Sequence, residues 1–324
     1  MTREMNLAVT THETPTVSVV ICAYTTARWE RLRHAVESVL AGSDQPVDVI
    51  VVIDHCDELL DSAQRTFGAD RRVRVIPNTE TRGLSGARTT GVRAAHGDVV
   101  AFLDDDAVAA PGWADDLSDH YRDRTVAGVG GYASPVWPDV RPSWMPREFD
   151  WVVGCSYIGQ PEHTAPVRNP IGCNMSLRRS VLDEVGGFRS EVGRVGATPV
   201  GCEETELFIR VRAAEAANQV LFDPGIRVEH YVSEDRTTLR YFVRRCYHEG
   251  MSKAVVTEMA GTTAGLSSER AYVRRVLPSG VARELRSMTS DGLARASAIC
   301  LGLAATTAGF AKAKISRSLS RSAR

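Results

Sequence analysis

The stretch Val99-Val100-Ala101-Phe102-Leu103-Asp104-Asp105-Asp106 decides how this chain is read. Its apolar run fits a strand buried on both faces, and the three carboxylates that follow make an oxygen-rich edge at the strand's C-terminal end. Such an edge suits a hard divalent cation, Mg²⁺ or Mn²⁺, which prefers oxygen ligands and bridges to phosphates. Aspartate is also common where a strand gives way to a turn, so the cluster needs partners before it means chemistry.

The partners lie upstream. Val17-Ser18-Val19-Val20-Ile21-Cys22-Ala23-Tyr24 and Val47-Asp48-Val49-Ile50-Val51-Val52-Ile53-Asp54 are β-branched runs, the second ending on a carboxylate. Between them Trp29, Leu32, Ala35, Val36, Val39 and Leu40 recur at helical spacing up to Gly42. Strand, helix, strand implies a right-handed crossover and a parallel sheet. A shorter strand over 72–77 and a helix from Leu84 to Ala95, entered through Gly83, continue the alternation. Ligands of open α/β sheets bind outside the carboxyl ends of the strands, which gathers Tyr24, Asp54 and Asp104 to Asp106 in one crevice.

These runs, with Arg82-Gly83-Leu84-Ser85-Gly86-Ala87-Arg88 and Gly97-Asp98, resemble the nucleotide-binding half of family 2 glycosyltransferases. The second half is similar too, through Gly172-Cys173-Asn174-Met175-Ser176, Gly186-Gly187-Phe188, Glu203-Glu204-Thr205-Glu206-Leu207, Phe222-Asp223-Pro224 and Val228-Glu229-His230. The ordered resemblance covers Val17 to His230. Within the family, the wording around Tyr24, Asp54 and Asp104 is most similar to glucosyl-dolichyl-phosphate glucuronosyltransferases and related enzymes acting on polyprenol-linked sugars. The resemblance implies an α/β chain with the GT-A fold, a Rossmann-like nucleotide-binding sheet followed by a C-terminal helical extension. Its expected divisions are a flexible N-terminus over 1–14, a catalytic domain over 15–235 with a donor half to about 110 and an acceptor half from 111, and a basic extension over 236–324.

Composition agrees with an enzyme of this size. At 324 residues the chain buries a large core, and its net charge of −1 hides an asymmetry. Residues 231–324 carry 16 Lys+Arg against 7 Asp+Glu. A basic end on an acidic catalytic half favours an anionic membrane surface as partner, and no motif or aromatic-basic interleaving supports nucleic acid. The seven cysteines are odd in number and include no C-x-x-C pair, which favours reduced thiols over a disulfide framework or zinc site. Residues 1–15 are polar and lack the apolar core of a signal peptide, so the expected location is cytoplasmic, peripheral at the inner face of the cell membrane.

The resemblance also implies roles. Ala23, Tyr24, Asp54, Arg82, Arg88, Asp104 and Asp105 fall to the nucleoside diphosphate sugar donor, with glycines near Arg82 and Arg88 letting backbone amides approach its diphosphate. Asp104 and Asp106 match the two acids of the family's D-x-D; Asp106 and His230, with Asp104, would hold Mn²⁺ or Mg²⁺. Glu204 occupies the position of the general base, where the family has Asp, and Glu203 is its reserve. On the acceptor side stand Asn174 and the tryptophans 137, 144 and 151 (Trp137, Trp144, Trp151), in a Pro-rich segment expected to include a mobile loop over the donor. Leu239, Phe242, Val243, Cys246 and Tyr247 form an apolar stripe opposite Arg240, Arg244 and Arg245, suited to docking on the catalytic domain or to a membrane. The uncharged run Ala296 to Ala311 is too short for a full span and suits a packed hairpin or an interfacial helix.

The expected reaction is inverting transfer of a hexosyl or hexuronosyl unit from a nucleoside diphosphate sugar, UDP-linked, to a hydroxyl of a lipid-linked or other glycan acceptor. Two other classes stay open. A sugar-1-phosphate nucleotidyltransferase shares the sheet, acids and metal but wants a Gly-rich loop after the first strand, where Ala23-Tyr24-Thr25-Thr26-Ala27-Arg28 has no glycine. A non-catalytic sugar-nucleotide-binding protein is the other, because Glu204 replaces the usual Asp.

Overall fold

The computed structural model describes residues 14–45, 47–189, 203–260 and 267–322. The expected flexible N-terminus over 1–14 and Cys202 fall almost entirely or wholly outside these residues. Strands β1 (Val17–Ala23), β2 (Val47–Ile53), β3 (Val73–Pro77) and β4 (Val99–Asp104) pair in parallel in the order β3-β2-β1-β4. Both faces are covered, which is why these strands are apolar throughout: Val19, Ile21, Val49, Val51 and Ala101 pack on one side, Val20, Ile50, Val52 and Phe102 on the other. Helices α1 (Trp29–Gly42), α2 (Asp57–Phe67) and α3 (Leu84–Ala94) make the crossovers.

Beyond β4 the sheet changes direction. Strands β5 (Ala107–Ala109), β6 (Val126–Val136), β7 (Ala165–Pro166), β8 (Asn174–Arg178) and β9 (Gln219–Tyr231) extend it into nine strands, with β8 antiparallel to β4 and β6. Helices α4 (Trp113–His120), α5 (Arg179–Val185) and α6 (Glu203–Ala214) pack around this half. The antiparallel pairing of β5 with β9 sets Ala107 opposite His230, and the Tyr231 amide donates to the Asp106 carbonyl at 2.8 Å. Register alone thus delivers His230 to the aspartate edge from more than 120 residues away.

The C-terminal helices are α7 (Leu239–Ala260), α8 (Ser267–Ala271), a π turn (Tyr272–Val276), α9 (Leu277–Arg286) and α10 (Ser290–Ser322). They share a core with the 3-10 turn Arg147–Val153: Phe149 meets Phe242 at 5.3 Å between ring centroids, and Trp144 meets Phe242 edge-on at 5.5 Å. The stripe expected on α7 therefore docks on the catalytic unit through Phe242 and Cys246, both fully buried, while Leu239 stays exposed. α7 and α10 touch through glycine: a Cβ on Gly250 would stand 1.9 Å from the Thr306 carbonyl oxygen, and one on Gly309 1.9 Å from that of Tyr247. This close approach explains the Gly- and Ala-rich run of α10. The run is nonetheless part of a longer element than the sequence suggested. Among the described residues one helix, over Ser290–Ser316, is long and apolar enough to cross a membrane by length and composition, and its glycine contacts with α7 accord with the expected packed helix.

Candidate active site

The acidic edge is a charge-compensated cluster. Arg28, in the 3-10 turn Thr26–Arg28 after β1, places Nη1 2.9 Å from Asp105 Oδ1 and 3.0 Å from Asp106 Oδ2. His230 Nε2 lies 3.3 Å from Asp106 Oδ1, and its Nδ1 is 3.6 Å from Cys155 Sγ. Burial works against ionising Asp106, but His230, Arg28 and Arg236 outweigh it and hold the carboxyl well below the usual range. Burial likewise disfavours the imidazolium, and the contacts with Asp106 and Cys155 overcome it, raising His230 to about 10. Asp105 goes the other way: burial and the Asp106 charge push it up to about 7, and its Oδ2 is buried without a hydrogen bond.

One ligand atom each from Asp104, Asp106 and His230 lie within 4.8 Å of one another. Two carboxylates and an imidazole fit Mn²⁺ or Mg²⁺ by donor chemistry, the imidazole favouring the transition metal. A divalent cation that displaces the His230 proton would take over its pairing with Asp106, so the donor set fits the metal.

Asp54 follows β2 with both oxygens engaged, accepting from Asn78 Nδ2 at 2.7 Å and the Gly83 amide at 2.9 Å, with His55 Nδ1 at 2.9 Å. Two unusual backbone angles make this possible: φ is +53° at His55 and +123° at Gly83, the latter needing glycine. Ala23 is buried and its carbonyl accepts the Asp54 amide, whereas Tyr24 is 52% exposed with the Arg28 guanidinium over its ring at 5.5 Å. Arg82 is exposed ahead of α3.

Arg88 is held by acids on both sides. It is fully enclosed, donating to Asp104 Oδ1 at 3.3 Å, Glu203 Oε1 at 3.2 Å and the Gly172 carbonyl at 3.0 Å, between the rings of Phe102 and Phe188. A guanidinium out of water needs such acceptors. It ties Asp104 to the start of α6 and also lines the cavity. Glu203 is its partner, and Glu206 pairs with Arg210 at 2.7 Å. Glu203 and Glu204 both line the cavity, and Glu203 is the one tied to Arg88. Burial first, then the neighbouring Glu203 charge, raises Glu204 to about 8.

A cavity of about 570 Å³ joins these groups, lined by Asp104, Glu203, Glu204 and His230 at one end and by α7, α8 and α10 at the other. Of the expected acceptor-side residues Trp151 lines it, with Nε1 3.2 Å from the Tyr272 hydroxyl, while Trp137 and Trp144 do not. Asn174 is a correction. Fully buried, it accepts from Trp113 Nε1 at 2.8 Å and donates to the Tyr132 and Ile226 carbonyls at 3.2 and 3.1 Å, so it ties β6, β9 and α4 together and has no amide group left for a substrate. Arg28, Asn78 and Cys155 were missed. Arg28 had a signal, a cation one helical turn beyond the first strand; the other two had none.

The matching family model is Glycosyl transferase family 2, over residues 18–186. The glucosyl-dolichyl phosphate glucuronosyltransferase of Haloferax volcanii is 36% identical over 276 residues, 85% of this chain and 87% of its own. The chain belongs to glycosyl transferase family 2. Its fold is similar to a mannosyltransferase of Pyrobaculum calidifontis solved with GDP-Man and Mn²⁺, at TM-score 0.59 and 17% identity over 92% of this chain and 88% of that one. It is also similar to GalNAc-T7 solved with UDP, GalNAc and Mn²⁺, at TM-score 0.54 and 18% identity over 81% and 54%. The GT-A fold with C-terminal helices and glycosyltransferase activity are thereby established, and the nucleotidyltransferase and non-catalytic alternatives fall away.

Proposed function

We propose that the protein transfers a hexosyl or hexuronosyl unit, with inversion, from a UDP-linked sugar to a hydroxyl of a lipid-linked glycan. The observation that carries this reading is the single cavity shared by Asp104, His230 and Glu204, with Asp106 behind His230. Glu204 takes the proton of the acceptor hydroxyl as that oxygen attacks the anomeric carbon on the face opposite the diphosphate. A carboxyl raised to about 8 is a stronger proton acceptor once ionised than an ordinary glutamate. Asp104, Asp106 and His230 would hold Mn²⁺ or Mg²⁺, which when bound supplies charge to stabilise the departing diphosphate. Tyr24 offers an exposed ring for the nucleobase, and Asp54, Asn78 and Gly83 hold the turn beside it.

The lipid-linked acceptor is supported by the name of the Haloferax relative and by the basic, partly apolar C-terminal helices. We place the protein peripherally on the cytoplasmic face of an anionic membrane, where each Lys or Arg near the surface contributes about 1 kcal/mol. The test is a panel of nucleotide sugars measured by equilibrium binding with Mn²⁺, followed by mass spectrometry of products formed on polyprenol-linked sugars. A UDP-sugar that binds and extends such a lipid is the expected result; exclusive use of soluble acceptors or of another nucleotide overturns the corresponding half.

A further inference from the structure

The cavity continues past Glu204 into a region whose charge has the opposite sign. There Arg245 donates to Glu249 at 2.7 Å and Arg168 to Glu269 at 2.8 Å, while the Lys253 ammonium reaches both carboxylates. Arg270 and Arg274 complete this part of the lining from exposed positions on α8 and the π turn. Among the described residues, five cations share this part of the lining with two carboxylates. The net positive charge of these described residues on a concave surface favours a bound anion. Beyond the charges the lining turns apolar, through Val273, Leu277, Leu303 and Phe310.

From this order of surfaces we infer that the far end of the cavity is an anion subsite for the phosphate ester of a lipid-linked acceptor. The phosphate sits among Arg168, Lys253, Arg270 and Arg274, where guanidinium groups match its oxygens in pairs. The acceptor sugar lies between it and Glu204, with Trp151 and Tyr272 beside it. The hydrocarbon chain leaves over Leu277 and Phe310. The inference rests on the reading that the acceptor is lipid-linked, and it adds where each part of that molecule binds.

The test uses the full chain and three probes: citronellyl phosphate, citronellol and inorganic phosphate, each titrated by calorimetry. Citronellyl phosphate is expected to bind about ten-fold or more tightly than either other probe. The Arg270→Ala/Arg274→Ala variant should lose about that factor, and Arg270→Gln/Arg274→Gln should behave alike. Arg275→Ala/Arg286→Ala, which removes exposed charges outside the cavity lining, should not change it. Equal binding of citronellol, equal binding of inorganic phosphate, or an equal loss in the Arg275/Arg286 control each overturns the proposal. UDP binding with Mn²⁺ on the same samples is read separately, so failure of the donor reading and failure of the anion subsite are told apart.

Discussion

The sheet edge and the helical wall opposite it are assembled by different physics. At the edge each functional side chain sits where a strand stops, and backbone pairing fixes its place: Cys22 lies across from Asp104, Ala23 from Ile53, and Ala107 from His230. The wall is held by side-chain packing between α7 and α10 and by the Arg168, Glu269, Lys253, Glu249 ladder. Register admits one arrangement, since a one-residue slip turns every side chain to the other face. Packed helices accept substitution more readily. Chemistry common to many donors thus belongs on the edge, and choice of acceptor belongs on the wall.

The sharpest way to break this division is at the edge. Asp106→Asn removes a candidate metal ligand and should lower transfer by about 10³-fold, a loss of several kcal/mol of charge stabilisation. Mn²⁺ affinity read by electron paramagnetic resonance should fall with it, and EDTA should abolish wild-type transfer until Mn²⁺ is restored. Next comes Glu204→Gln, expected to lower kcat by about 10²-fold or more with donor affinity retained. Glu203→Gln should act through the fold instead: it takes the carboxylate from the buried Arg88 guanidinium and should cost about 3 kcal/mol of stability, read as a fall in Tm. If Glu203→Gln is folded but inactive and Glu204→Gln is active, the base is the other residue.

Smaller effects sharpen the boundary between structure and acceptor contact. Asn174→Ala leaves the Trp113 indole N–H without an acceptor and should cost about 2 kcal/mol in denaturant unfolding while leaving acceptor KM unchanged. Trp137→Phe should change acceptor KM least of all, because Trp137 packs under Arg141 and does not line the cavity. A large KM effect at Trp137 would move the acceptor outside the cavity.

The parallel strands were legible because burial on both faces demands unbroken β-branched runs, and the acids were legible because they end one of those runs. Arg88 was not. Its environment depends on Gly172 and Glu203, 84 and 115 residues away, and the same motif reads equally well as a phosphate contact. Asn174 was misread for a similar reason: its partners Trp113, Tyr132 and Ile226 lie 61, 42 and 52 residues away. The extent of α10 was not legible from the uncharged run alone, because the charged and polar residues flanking Ala296 to Ala311 continue the helix on both sides. Its glycines carry no local mark of the partner helix they touch.

The most direct test of Glu204 as the base is the pH dependence of kcat/KM, which reports groups of the free enzyme. A base works only when ionised, and Glu204 is held near 8 by burial and by Glu203. Wild-type log kcat/KM should therefore rise with unit slope from pH 6 toward about 8 and then level, and the rising limb should vanish from the residual activity of Glu204→Gln. The same limb in both proteins would contradict the assignment of the base.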